Sequence, residues 1–283
     1  MKTLNLTDVQ ESDIKFTISK FPDGQQSITI DDAPAFIQGN DIKLYSRLNN
    51  FRDLELIICA NQALRDMAVS TVSLYVPYFM GARSDRKFVQ GSVNYLKQVI
   101  CPIINSQNFN TVLVLDPHSD VLEACLNNYE KIDNHLIVKQ SLTDIDNRNG
   151  AQDRIVLVSP DAGAYKKIFD VAQKFGISNV VTAMKHRDIK TGKITHTEVP
   201  NIEQYGEEHK FVIVDDICDG GRTFIELAKA IRKHNAISDI YLIVTHGIFS
   251  AGFDELNNHF TKIYTSNSYA NMNNSQLLQF NVF

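Results

Sequence analysis

Five short apolar runs in this chain each stop at a polar or glycine-rich motif, and that alternation constrains the fold more than anything else. The runs Val72–Val76, Thr111–Leu115, Arg154–Val158, Asn179–Ala183 and Phe211–Val214 read as strands. They are followed in turn by Pro77–Lys87, Asp116–Asp120, Ser159–Ala164, Lys185–Asp188 and Asp215–Thr223. Strands of this kind, apolar along their whole length, belong to sheets covered on both faces, and the stretches between them carry helical spacing. Asp53–Met67 places Leu54, Ile57, Ile58, Ala60 and Leu64 near one face, and Ala164–Phe175 and Phe224–Lys233 read as further helices. The pattern is that of an α/β protein with mainly parallel sheets. In such sheets the C-terminal strand edges line the ligand crevice, so motifs that recur there point to a binding or catalytic site.

Other elements are read with less support from periodicity. Gln26–Ile30 and Ala35–Gln38 are β-like, Phe21–Gly24 is a turn, and Ser92–Ile100 starts another helix. Lys185–Thr197 is charged, contains Gly192, and reads as a mobile loop or a hairpin. Tyr241–Thr245 and Lys262–Tyr264 are late strands. With 283 residues the chain is long enough for two domains of ordinary size. The polar stretch Ile132–Gln152 is the natural seam, which divides the chain into 1–140 and 141–283.

Composition narrows the function classes. A net charge of −5 argues against an extended nucleic-acid surface, while leaving room for a local basic pocket. The four cysteines form no CxxC pair, the N-terminal segment is polar, and no apolar run reaches the roughly 20 residues that cross a bilayer. These features read as a reduced, soluble, cytoplasmic protein with no membrane partner. There is no GxxxxGK[ST] loop and no HRD or DFG set, so any ATP is bound by other means.

The run FVIVDDICDGGRTF carries the most chemistry. Asp215 and Asp216 cannot both enter an apolar core cheaply, so at least one meets solvent, a metal or hydroxyl groups. Gly220 and Gly221 reach backbone angles closed to other residues and expose N–H groups to an anion, and the following helix N-terminus adds a favourable field for phosphate. Thr223 adds a hydroxyl contact or caps the helix.

This combination resembles the ribose-phosphate loop of type I phosphoribosyltransferases and of ribose-phosphate pyrophosphokinases. The likeness to the second family runs along nearly the whole chain: FPDG, SRLNNFRDLELIICANQALRDM, VPYFMGARSDRK, DPHSD, SPDAGA, Lys185-His186-Arg187, the acid-glycine loop, and Thr245-His246 with Phe249-Ser250. The resemblance implies two similar type I phosphoribosyltransferase-like lobes, the second carrying the ribose-phosphate loop. It also implies a reaction in which the 1-hydroxyl of a phosphorylated ribose attacks the β-phosphorus of ATP, AMP leaves, and Mg2+ assists. Arg83, Ser84, Asp85, Arg86 and His118 then fall to ATP, and Lys185 and Arg187 stabilise the transferred group. Asp161 and Gly163 hold diphosphate, with His118 and Asp161 as metal-associated residues. Asp215 and Asp216 hold the sugar hydroxyls, while Asp219, Gly220, Gly221, Arg222 and Thr223 cradle the 5-phosphate. The late Thr245-His246 and Phe249-Ser250 segment supports the family likeness more than any chemical role. A homo-oligomer, dimer or hexamer, is the implied assembly.

Three departures bear on the substrate. Ser84 stands where the family has glutamine, His186 where it has arginine, and Asp219-Gly220-Gly221-Arg222-Thr223 replaces Asp-Thr-Gly-Gly-Thr. Ribose 5-phosphate is the first acceptor to expect. ADP-ribose or another 5-substituted ribose is the alternative, with Gly220 widening the entrance and Arg222 meeting an extra phosphate. A phosphoribosyltransferase and a non-catalytic partner of a synthetase are the other readings. The first leaves the ARSDRK and DPHSD motifs without a purpose, and the second sits poorly with Lys185, Arg187 and His118 all in place.

Overall fold

A computed structural model describes residues 1–87, 89–146, 154–187 and 194–283, with the backbone alone described for 185–187 and 194–196. The chain divides into two compact units: Met1–Asp133 together with Val282–Phe283, and Asn134–Asn281.

The first unit is built on five parallel strands: β1 (Lys2–Asn5), β4 (Asp41–Tyr45), β5 (Thr71–Tyr75), β6 (Val112–Leu115) and β7 (Tyr129–Ile132), side by side in that order. An antiparallel hairpin of β2 (Phe16–Lys20) and β3 (Gln26–Ile30) stands apart, turned at the expected place by Gly24, whose N–H reaches Phe21 O at φ +100°. Helix α2 (Phe51–Asp66) is started by Asn50, whose side chain accepts from the N–H groups of Arg52 and Asp53. It buries Leu54, Ile57, Ala60 and Leu64 in one core with Leu44, Leu74 and Val114 of the sheet.

One expectation fails here. Ala35–Gln38 is not β-like; Pro34–Ile37 forms a single helical turn, α1, because Pro34 is preset for a first helical position and Gln38 N–H closes the turn on Pro34 O. The helix expected to start over Ser92–Ile100 does start there, though only at Tyr95, and it continues past Pro102. Leu96–Ile100 is a widened turn, with Cys101 N–H reaching back five residues to Leu96 O, and it runs into α3 (Cys101–Ser106). Pro102 has no N–H to offer, and the wide turn absorbs that missing bond while proline sits harmlessly in the first turn of the next helix. The short helix α4 (Val121–Cys125) follows β6.

The second unit has six parallel strands in the order β15 (Leu277–Phe280), β14 (Lys262–Ser266), β13 (Ile240–Gly247), β12 (Lys210–Cys218), β8 (Ile155–Ser159) and β9 (Val180–Thr182). Every residue of β8 and β13 is buried, the signature of strands covered on both faces. Helices α5 (His135–Ile145), α6 (Tyr165–Phe175), α7 (Arg222–Arg232) and α8 (Asp254–His259) pack around the sheet. Phe211, Ile213, Leu242 and Val244 share a core with Leu227 and Ile231 of α7 and Leu256 of α8. The segment around Lys185 does form a hairpin. Strands β10 (Met184–Arg187) and β11 (Ile194–Glu198) pair antiparallel, Lys185 opposite Thr197, and residues 188–193 lie outside the described residues.

Each unit is thus a parallel sheet with an antiparallel hairpin, the type I phosphoribosyltransferase-like arrangement expected twice over. Because the ladders are parallel, the C-terminal strand ends of each sheet gather on one edge, and the motifs singled out above sit there.

Candidate functional site

In the second unit three neighbouring strands deliver the site. Strand β12 runs through Asp215 and Asp216 before ending at Cys218. Asp216 is buried at 5% exposure and Asp215 half-buried. Their carboxylates are fixed by short local bonds: Asp216 N–H donates to Asp215 Oδ1 at 2.9 Å, and Ile217 N–H to Asp216 Oδ1 at 3.0 Å. Lys167, from the first turn of α6, places Nζ 3.4 Å from Asp216 Oδ2. Desolvation of the Asp215 carboxyl, and then the Asp216 charge beside it, push Asp215 well above the ordinary carboxylate range; Lys167 opposes this weakly. A proton shared unequally by two adjacent acids is what such a pair produces at mildly acidic pH.

Beyond Cys218 the chain turns through Asp219 and Gly220 into Gly221, which starts α7 at φ +77°. That angle suits glycine, and a Cβ at this position would also lie 2.9 Å from Leu256 Cδ2 of α8. Gly220 is different. Its φ is unremarkable, and a Cβ there would meet only Ser250 Oγ, at 3.9 Å. Arg222 is exposed and Thr223 half-buried in the first turn of α7, whose N-terminal residue provides no side-chain cap. The exposed N–H groups and dipole of that turn favour an anion.

On the neighbouring β8, Ser159 Oγ bonds to Asp161 O at 2.8 Å, and Asp161 Oδ1 accepts from the N–H groups of Gly163 and Ala164 at 3.0 and 3.1 Å. One carboxylate oxygen of Asp161 thereby shapes the turn into α6. A Cβ on Gly163 would press to 3.2 Å from that same oxygen, so the missing side chain keeps the turn tight. On the other flank, β13 ends in buried Thr245 and His246. His246 Nδ1 is 2.8 Å from Ser268 Oγ, and Ser266 Oγ donates to Thr245 O at 2.6 Å. Lys185 and Arg187 have backbones in β10; their side chains lie outside the described residues.

The first unit repeats the theme on adjacent strands. After β5, Tyr78, Phe79 and Met80 are buried, and Gly81 turns the chain at φ +81° where a Cβ would strike Tyr95 Cδ1 at 2.6 Å. Arg83 and Arg86 are exposed and Ser84 half-buried, but Asp85 is buried, with Arg86 Nε on its Oδ1 at 3.2 Å and Asn94 Nδ2 on its carbonyl at 2.6 Å. Asp85 therefore braces the segment and steers Arg86. After β6, Asp116 is buried at the rare φ of +39° and hydrogen-bonds through its N–H to Ile132 O, which presents His118 at the surface. Among the described residues no three or more His, Cys, Asp or Glu side chains gather as a metal cluster.

Lys167 escaped the sequence reading. Its signal was present: two lysines open α6, the end of a helix dipole that disfavours cations, which asks for an acidic neighbour. Ser250 was read as a family marker only, and it donates to Asp219 Oδ1 at 2.5 Å.

The two loop glycines are predicted to behave oppositely. Gly221→Ala forces a side chain into a left-handed backbone against Leu256, at a cost of about 1–2 kcal/mol from the backbone alone. Gly220→Thr enters open space and is expected to change stability by less than about 0.5 kcal/mol. Chemical denaturation of both variants checks the contrast, and equal losses contradict it. The acid pair gives a pH prediction. Asp215 keeps its proton to higher pH in the folded than in the unfolded chain, so its contribution to stability is full below about 3.8 and declines as pH rises through the folded-state titration. Asp215→Asn is expected to raise Tm at pH 8 by a few degrees, on a scale of about 2–4 °C per kcal/mol, with the gap closing toward pH 4. Thermal scans across that range that show no gap at pH 8 contradict it.

Comparison with known proteins bears on what this arrangement serves. A phosphoribosyl transferase domain family model matches residues 127–247. The chain is similar to a ribose-phosphate pyrophosphokinase of a Marinomonas species, 27% identical over 237 residues that cover 83% of this chain and 71% of that protein. It is similar to another from Sulfolobus acidocaldarius, 26% identical over 263 residues covering 90% and 84%. Its fold is that of the phosphoribosylpyrophosphate synthetase of Mycobacterium smegmatis, with a TM-score of 0.80 over 97% of this chain and 88% of that one, at 16% identity. The similarity to ribose-phosphate pyrophosphokinases thus reaches through both units, and the second unit, built around the acid pair and glycine loop, carries most of the phosphoribosyl transferase domain match.

Proposed function

We propose that this protein transfers the β,γ-diphosphate of ATP to the 1-hydroxyl of a phosphorylated ribose, releasing AMP. The observation that carries the reading is the course of β12: a fixed, partly desolvated carboxylate pair runs directly into a glycine-started helix. The carboxylates near the strand's C-terminal end suit vicinal hydroxyls, and the helix start a few residues further on suits a phosphate. A phosphoribosyltransferase would use the same strand, but the similarity to curated pyrophosphokinases spans both units, with the Arg83–Arg86 segment and His118 on a sheet of their own.

In this reading Asp215 and Asp216 orient the sugar so that its 1-hydroxyl lies in line with the β-phosphorus, and the work of catalysis is positioning and charge neutralisation. Lys185 brings a compact positive charge and Arg187 a planar donor to the transferred group. Arg83 and Arg86, with Ser84 and the brace of Asp85, hold the nucleotide, and Asp161 and Gly163 hold the diphosphate. Mg2+, when bound with ATP, would neutralise phosphate charge, with Asp161 and His118 as the residues associated with it. An ion that keeps several waters needs few protein groups, and the Asp161 carboxylate is the hard oxygen that the second unit offers it.

Ribose 5-phosphate is the acceptor we place first. A ribose carrying a larger 5-substituent, such as ADP-ribose, is a second reading, favoured by the open space at Gly220 and the exposed Arg222 beside it.

Purified protein with ATP, Mg2+ and ribose 5-phosphate or ADP-ribose is expected to release AMP and form the 1-diphosphorylated sugar. No AMP with either acceptor rejects the reaction, and AMP with ADP-ribose alone moves the acceptor to the larger class. Lys185→Ala is expected to lower kcat by about 10²-fold or more while KM for both substrates moves only a few-fold. A matched rise in KM with kcat intact removes Lys185 from the transition state.

A further inference from the structure

The loop after β13 and helix α8 that follows it back the glycine loop at three points. Ile248 and Phe249 N–H groups both bond to Cys218 O, at 2.8 and 3.2 Å, where β12 hands over to the loop. Ser250 Oγ donates to Asp219 Oδ1 at 2.5 Å. Leu256, at 1% exposure, fills the space that a side chain on Gly221 would need. This backing is itself stiff. Phe249 is buried at φ +48°, a left-handed angle that an aromatic residue adopts only when its surroundings insist. Its ring lies 4.7 Å from that of Phe253, Gly252 N–H closes a turn onto Phe249 O, and Gly247 leaves room for the Phe249 ring.

Asp219 is the awkward member of the loop. Its carboxylate stands two residues before the start of a helix whose N–H groups face an anion, and two negative charges at that spacing repel unless one is turned aside. A short hydrogen bond to an ionised oxygen is a strong, directional tether. Ser250 is exposed and Asp219 half-buried, so the bond lies at the surface of the loop rather than within the core.

Resting on the function proposed above, we propose that Ser250 is a positioning residue for the sugar-phosphate site: by tethering Asp219 it holds that carboxylate out of the phosphate's path and fixes the loop before the ligand arrives. Gly220 makes the tether matter more in this chain, because the residue between Asp219 and Gly221 has no side chain to restrict the turn.

The test is a double-mutant cycle between Ser250→Ala and Asp219→Asn, read by calorimetric binding of ribose 5-phosphate and by steady-state kinetics with ATP and Mg2+. Ser250→Ala is expected to weaken ribose 5-phosphate binding about 10-fold, the scale of one hydrogen bond to a charged group. KM for the sugar rises with it, kcat stays within about two-fold, and Tm is unchanged. Ser250→Thr keeps the hydroxyl and is expected to bind as wild type does. In the Asp219→Asn background, Ser250→Ala is expected to cost less than about two-fold, because the charge it restrains is gone. An equal cost in both backgrounds, or no cost in the wild-type background, overturns the role of Ser250 while leaving the reaction standing. A wild-type protein that binds no ribose 5-phosphate overturns this role together with the acceptor placed first above.

Discussion

Two carboxylates placed side by side at the end of β12 are the constraint around which the second unit is arranged. Folding alone does not want them there, since desolvation raises the free energy of the ionised pair and each charge raises that of the other. Several features offset this. Backbone N–H groups donate to both side chains, Lys167 reaches across from α6, and the pair lies at the strand end rather than in the middle of the ladder. Apolar strands on either side, β8 and β13, supply the stability that lets one strand carry such a pair. Groups held at a cost in the ligand-free protein are groups that a hydroxyl-bearing ligand relieves, and the stability spent on them is a familiar feature of binding sites.

The parallel sheet converts that local arrangement into a site. Strands β8, β12 and β13 are neighbours with one direction, so the turn of Asp161, the acid pair and the segment of Ser250 come to one edge without long loops to steer them. The first unit uses the same device on β5 and β6 for Arg83–Arg86 and His118. In both units the turn immediately after a strand is held by something rigid behind it: Tyr95 against Gly81, Leu256 against Gly221. Arg83, Arg86 and Arg222 stand exposed at these turns, while Asp85 and Leu256, which brace them, are buried.

How much of this was legible from sequence follows from the range of the forces involved. Most interior strands of the two sheets were readable because a strand buried on both faces is largely apolar, whereas β4, with Asp41 and Lys43 interrupting its apolar residues, went unread. The glycine loop was readable because a left-handed turn before a helix leaves a local mark. Edge and irregular elements left little: β1, β7 and β15 are four residues each, and α1 is a single turn whose β-like composition hides a proline at its start. Long-range polar contacts left least. The bond from Ser250 to Asp219 joins residues 31 apart in sequence, and the pairing of Lys167 with Asp216 crosses from one helix to a strand beyond the hairpin. Neither has a periodicity to reveal it. Asp85 is the instructive middle case. The resemblance puts it with its charged neighbours among the ATP residues, and the fold turns this single acid of ARSDRK inward to orient an arginine.

Backbone strain follows the same division. Among the described residues with left-handed angles that are not glycine, three are asparagines, which adopt such angles with little penalty, and Asn108 and Asn128 flank the start of β6, away from the motif-bearing edge. Asp116 and Phe249 are the two that sit at strand ends on the motif-bearing edges, and both are buried. A buried phenylalanine at φ +48° costs about 1–3 kcal/mol, and it persists only if the packing around it fixes the chain more firmly than that. The packing does: the ring is held by Phe253 and by the space at Gly247, and the backbone by two bonds to Cys218 O. Strain of this size in a well-packed segment means that the segment cannot easily yield when a neighbour pushes on it. A loop that must present N–H groups to a phosphate at a fixed distance gains from having such a segment behind it, because a support that relaxed on binding would give back part of the interaction it was meant to secure.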